Sequence, residues 1–124
     1  MARATFRQYK NKRIYCIDYS NLKYEDEFLH AIDETNLFRS QNLVGQPVKS
    51  ILMLVDLTNS FVHGNIFNRL KESGSATKPF LKKQAVVGLT PGKAALLKIF
   101  NLFIKDELKP FNTVNEALDW LIRD

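Results

Sequence analysis

Cysteine is almost missing from this chain: Cys16 stands alone among 124 residues, which excludes an internal disulfide and fits a reducing cytoplasm. Set in an apolar, strand-like stretch, it reads as a small core residue. No apolar run approaches the roughly 18 residues that span a bilayer. The opening Met1–Arg7 has no apolar signal core, so nothing suggests export. The two histidines, His30 and His63, lack a neighbouring Cys, Asp, Glu or His at metal-site spacing, and no Ser-His-Asp arrangement accompanies them. No pair of carboxylates is placed for acid–base work. The expectation is a chain without a catalytic centre, a metal or a cofactor. Acidic residues are absent from the opening stretch, where Arg3, Arg7, Lys10, Lys12 and Arg13 crowd together, and Lys71, Lys78, Lys82 and Lys83 form a looser second group. The net charge of +5 is modest, and no nucleic-acid recognition motif accompanies these lysines and arginines. They read as a solvated face, with no specific nucleic-acid partner.

The hydrophobic share of 45% and the charged share of 25% are those of one ordinary globular domain, spanning 1–124. Nine phenylalanines imply an aromatic-rich core. Around the turn-like Lys10-Asn11-Lys12, residues 4–9 and 13–19 read as a β-hairpin. Residues 24–41 carry Phe28, Leu29, Ile32 and Phe38 at helical spacing behind Glu25, Asp26 and Glu27, acids that suit a helix N-terminus. Ile51–Val55 with Leu57, broken only by Asp56, is a short apolar run of the kind found in strands buried on both faces. A second helix over 61–73 follows, capped by Asn59 or Ser60 and ended by Gly74-Ser75. A strand over 85–89 comes next. Thr90-Pro91 then starts a helix to about residue 104. Residues 108–111 make a last strand, and Thr113 with Glu116 forms a capping box for the closing helix. The order β-β-α-β-α-β-α-β-α predicts an α/β fold: a mixed, mostly parallel sheet of about five strands with four helices packed around it.

Polar residues collect where the central strand ends, the usual place for a ligand crevice in open α/β sheets. Asp56, Thr58, Asn59 and Ser60 are therefore candidate binding residues, with His63 at the start of the next helix. Thr90 and Lys93 join them from the following strand–helix junction, where free N–H groups and a lysine could hold a small anion. Gly88-Leu-Thr-Pro-Gly-Lys93 is no phosphate loop: three residues separate the glycines instead of four, and Ala94 follows the lysine where Ser or Thr is required. A receiver-type phosphoacceptor is a further reading, with Asp56, Thr90 and Lys109 in the key roles. It lacks the paired acids that hold Mg²⁺, since only Asp18 follows the first parallel strand. The stretch from Ala94 to Ile104 is apolar except for Lys98 and Asn101. A helix so apolar is packed deeply, or else it meets a partner, a membrane surface or an apolar ligand.

Four stretches carry a family resemblance: Ile14–Leu22, Val55–Ser60, Ala85–Thr90 and Phe111–Leu121, the last with its Glu116-Ala117 and Trp120-Leu121. With them the whole chain resembles a SpoIIAA-like member of the STAS superfamily, the group related to anti-sigma-factor antagonists and CRAL-TRIO lipid-binding domains. The resemblance implies a non-enzymatic regulatory or protein-interaction module. Its alternative is a carrier or sensor of a small apolar, lipid-like ligand. STAS antagonists carry a phosphorylatable serine in an Asp-Ser-Ser-Gly motif, which this chain lacks; Thr58 and Ser60 could accept phosphate in its place, although turn formation and capping are their simpler role. A protein partner, or a small anionic or apolar ligand, is thus the expectation. The edge strand at 4–9 offers a route to a homodimer.

Overall fold

The computed structural model describes residues 2–123. The hairpin forms first in the chain: β1 (Ala4–Tyr9) pairs antiparallel with β2 (Lys12–Asp18), Tyr9 opposite Lys12. Its turn needs only two residues, Lys10 and Asn11, both with positive φ (45° and 70°). That is the mirror-image turn whose twist matches a right-twisted hairpin. Helix α1 (Glu25–Asn42) crosses to β3 (Ile51–Asp56), which runs parallel to β2. Helix α2 (Gly64–Thr77) and a single 3₁₀ turn (Lys78–Phe80) lead to β4 (Leu81–Val87). Helix α3 (Pro91–Ile104), β5 (Leu108–Phe111) and α4 (Val114–Ile122) complete the chain.

The strand order is β1-β2-β3-β4-β5, with every pair after the first parallel. Each crossover therefore steps one strand in the same direction. Because such crossovers share one hand, their helices fall on one face of the sheet. Phe28 and Ile32 of α1, Ile66 of α2, and Leu97 and Phe100 of α3 all join a core with Ile17, Met53, Val55 and Val86. Helix α4 covers the other face, where Ala117, Leu118 and Leu121 meet Ile14, Leu52, Leu54, Ala85 and Val87. Strand β3 feeds both cores by turns, and all five residues Ile51–Val55 are buried. Burying each such side chain contributes about 1.5–3 kcal/mol, which makes β3 the spine of the molecule. Aromatic packing is dense near the hairpin: Tyr15 stacks on Phe38 at 5.4 Å and Phe6 tilts against both.

Strand β4 and helix α2 differ in their bounds from the sequence reading. Strand β4 begins at Leu81, four residues before the expected Ala85. Lys82 and Lys83 hid this start, yet β3 supplies the pairing, with Ile51 opposite Leu81 and Leu52 opposite Lys83 across a bulge. Helix α2 starts at Gly64, with His63 at the cap position and no side-chain cap, so neither Asn59 nor Ser60 caps it. It also runs through Gly74-Ser75 to Thr77. Gly74 is a notch: a methyl group there would lie 2.6 Å from the Phe100 ring, so the missing side chain lets α3 approach α2. Cys16 is half-buried on the α4 face rather than fully enclosed, and burial raises its thiol pKa.

Candidate functional site: the strand-end loops and the cavity under α3

Residues 19–23 and 57–61 leave the C-terminal ends of β2 and β3 side by side and are laced together by backbone bonds. Tyr19 N–H donates to the Asp56 carbonyl (2.8 Å), Asn21 N–H to that of Thr58 (2.9 Å), and Phe61 N–H to that of Leu22 (2.9 Å). The Asp56 carboxylate accepts the Thr58 N–H at 2.9 Å, an Asx turn that folds the chain back. Asn59 sits at φ 60°, a conformation asparagine tolerates. Its side chain donates to Asn21 (3.0 Å) and accepts from the Lys23 ammonium (2.8 Å). Ser60 is 3% exposed; its hydroxyl accepts the Leu22 N–H at 3.0 Å and donates to the Tyr19 carbonyl. Beneath Tyr19 the network continues inward. The Thr35 hydroxyl donates to the Ile32 carbonyl (2.9 Å), so the Tyr19 hydroxyl, 2.6 Å away, donates to Thr35.

From the other side comes the junction after β4. Gly88 has φ 84°, and a methyl group there would sit 2.3 Å from the Thr58 amide nitrogen. Only glycine allows that approach. Thr90 caps α3 by accepting the Lys93 N–H at 3.5 Å. The Lys93 ammonium donates to the Leu57 carbonyl at 3.0 Å, and burial, with the charge of Lys23 second, lowers its pKa. Asp56, Thr58, Asn59, Ser60, Thr90 and Lys93 thus share one end of the sheet. His63 is exposed beside Phe61, the ring centroids 6.3 Å apart.

The strand order never reverses among the parallel strands, so no topological switch point opens a deep crevice between these loops. Most of their polar groups are spent on one another, and no buried side-chain polar atom among the described residues lacks a partner. Ser60 is enclosed, whereas the Thr58 side chain is on the surface. The receiver constellation does not assemble. Asp18 lies opposite Asp56 in the register but takes the N–H and hydroxyl of Ser20 and faces Arg3 at 3.7 Å. Lys109 turns to the α4 side, its ammonium 5.2 Å from the Trp120 ring. Among the described residues no group of three His, Cys, Asp or Glu could hold a metal ion. His30 is exposed on α1 beside Asp26, Glu27 and Glu34.

The sequence singles out the third helix, with deep packing as the first expectation and an apolar pocket beside residues 92–104 as the alternative. Only Ile104 of α3 is fully buried, while Ile99, Leu102 and Phe103 are 51%, 79% and 51% exposed. Under its inner face lies a cavity of about 80 Å³, walled by Met53, Val55 and Val86 of the sheet, Phe67 of α2, and Leu97 and Phe100 of α3. Lys93 stands at its edge. A dry apolar cavity of about 150 Å³ admits benzene, so a larger guest here requires α3 to move outward. Asn101 holds the far end of the helix, accepting the Leu108 N–H at 3.0 Å. The sequence signal for this cavity was the apolar stretch 94–104, whereas Gly74, which reads as a helix end, is the notch that seats Phe100.

Among solved structures, the chain is similar to an uncharacterised protein of the DUF3478 family with a SpoIIAA-like fold from Shewanella loihica PV-4, with a TM-score of 0.71 and 20% identity over 95% of this chain and 91% of that one. No protein-family model matches the chain, and no curated protein matches its sequence. The fold expected from the four resembling stretches, SpoIIAA-like and α/β, is the fold observed.

Proposed function

We infer that this SpoIIAA-like domain is a non-enzymatic sensor or carrier of a small, largely apolar ligand held under α3. The observation that carries this reading is that the most apolar helix of the chain buries one residue fully and roofs an apolar cavity. A well-packed core leaves few voids, and helices of this composition normally sink into it. Lys93 adds chemistry at the rim: its ammonium has a backbone carbonyl for a partner rather than a carboxylate, so an acidic head group would find a cation there. Ligand entry displaces α3, and the exposed Ile99, Leu102 and Phe103 carry that displacement to a partner.

Native mass spectrometry of the purified chain tests this, with medium-chain carboxylic acids titrated against it. A saturable adduct that disappears when the cavity is filled, as in Val86→Phe or Leu70→Phe, supports the reading. A chain that takes up no apolar species by mass and shows no amide shifts around Phe67, Leu97 and Phe100 overturns it.

A second reading keeps the interaction module at the strand-end loops, with Thr58, Asn59 and the 56%-exposed Phe61 as the contact surface. Thr58→Glu would then abolish capture of the partner, whereas Ser60→Glu tests only the core, because Ser60 is enclosed.

A further inference from the structure

At the opposite end of the sheet, away from α3, the fold unites basic residues that the sequence keeps in separate groups. Lys12 and Arg13 at the start of β2, Lys82 at the start of β4 and Arg123 after α4 line one groove of about 390 Å³, together with Gln46 and Ser50. None of the four is ion-paired with a carboxylate among the described residues. Asp119 on α4, which also feels the charge of Arg123, is engaged by the Tyr9 hydroxyl at 2.7 Å and by Lys10 at 3.5 Å; Asp124 lies outside the described residues. Arg13 is held in place with its guanidinium 4.1 Å from the Phe6 ring centre. The carbonyl end of α4 would bring partial negative charge to the groove, but the Lys83 ammonium donates to the Trp120 and Arg123 carbonyls (2.8 and 2.6 Å) and offsets it.

We propose that this groove binds a phosphorylated small molecule of nucleotide size carrying two or more phosphate charges. The volume lies within the roughly 300–1,000 Å³ of small-ligand sites. Two arginine forks and two lysine ammoniums match phosphate oxygens, the arginines by paired hydrogen bonds and the lysines as point charges. No aromatic side chain lines the groove, and an extended nucleic acid would need such stacking platforms along a longer track. The binding is independent of the cavity under α3.

The test uses the full chain with ATP and pyrophosphate as probes, read by calorimetry and amide shifts at constant ionic strength. Saturable one-to-one binding, with shifts confined to residues near Asn11–Arg13, Lys82 and Arg123, is expected. Lys12→Gln and Lys82→Gln, both exposed and foldable, each weaken it about tenfold and together about a hundredfold. Lys98→Gln on α3 leaves it unchanged. Sulfate binding as well as pyrophosphate, a single-stranded oligonucleotide binding more tightly than ATP, or an affinity indifferent to Lys82→Gln would each overturn the proposal.

Discussion

Ser60 decides more about this molecule than any of its more reactive-looking neighbours. Its hydroxyl ties the Leu22 N–H to the Tyr19 carbonyl inside the core, so removing it strands both groups away from water. Ser60→Ala should destabilise the fold by about 2–3 kcal/mol, since an unsatisfied buried group costs roughly 1–3 kcal/mol. Thr58→Ala, on the surface, should change stability by about 0.5 kcal/mol or less. Urea midpoints of the two variants check this, and equal midpoints would contradict the joint assigned to Ser60. The buried tyrosines set the alkaline limit. Burial pushes Tyr15 from 10.0 up to about 12, against the opposing charge of Arg39, and raises Tyr19 as well. A folded-state pKa above the unfolded one gives stability that is complete below pH 10 and is lost as pH rises toward 12, because the unfolded chain ionises first. The midpoint should fall between those values, and Tyr15→Phe should shallow the fall; a flat wild-type profile would refute the cause.

Among the elements, α3 and α4 are opposites. Both begin with a threonine cap, yet α4 buries Ala117, Leu118 and Leu121 while α3 buries Ile104 alone. Local opening free energy follows such packing. Amide exchange should therefore be fastest, among the helices, over 94–103, and slow over 117–121. Leu118→Ala should cost about 2–5 kcal/mol as a core truncation. Leu102→Gln, 79% exposed, should stay within about 0.5 kcal/mol of the parent. If Leu102→Gln destabilised the chain as much as Leu118→Ala does, α3 would be a packed helix and the cavity reading would fail with it. The periodicity of α3 could not reveal this difference. Its apolar residues suit burial, and only the tertiary geometry shows that the short β5 and the neighbouring α2 leave most of them uncovered.

At the scale of the whole molecule, the open sheet has two edges, and each is blunted differently. Strand β5 is four residues long and carries Pro110, which has no N–H to donate. Strand β1 carries Arg7, with Arg3 and Lys10 beyond its ends, so two copies pairing along it would oppose like charges. Any pairing of two copies through β1 should accordingly be promoted by salt. Light scattering at about 0.01 M and about 1 M salt, where the Debye length falls from roughly 30 Å to 3 Å, should show more self-association at the higher value. A tight dimer at low salt would place the contact elsewhere.

Interactions between residues close in the chain were readable from the sequence. The Ile51–Val55 run made β3, Thr90-Pro91 opened α3, and Thr113 with Glu116 opened α4, its hydroxyl accepting the Glu116 N–H at 3.1 Å. The resemblance of Ile14–Leu22 and Phe111–Leu121 to SpoIIAA-like chains carried the topology further than composition could. Contacts between distant residues had no such signature. Ser60 looked like a cap until Leu22, 38 positions away, claimed its hydroxyl. Gly74 looked like a helix end until Phe100 filled its notch. Lys12 and Lys82 looked like ordinary surface charge until β2 and β4, the parallel strands on either side of β3, set their starts around one groove. Sequence alone determined the elements, because propensity, capping and hydrophobic period act within a few residues. The tertiary structure decided which polar groups are spent on the fold and which helix is left uncovered, because those outcomes depend on long-range packing between elements.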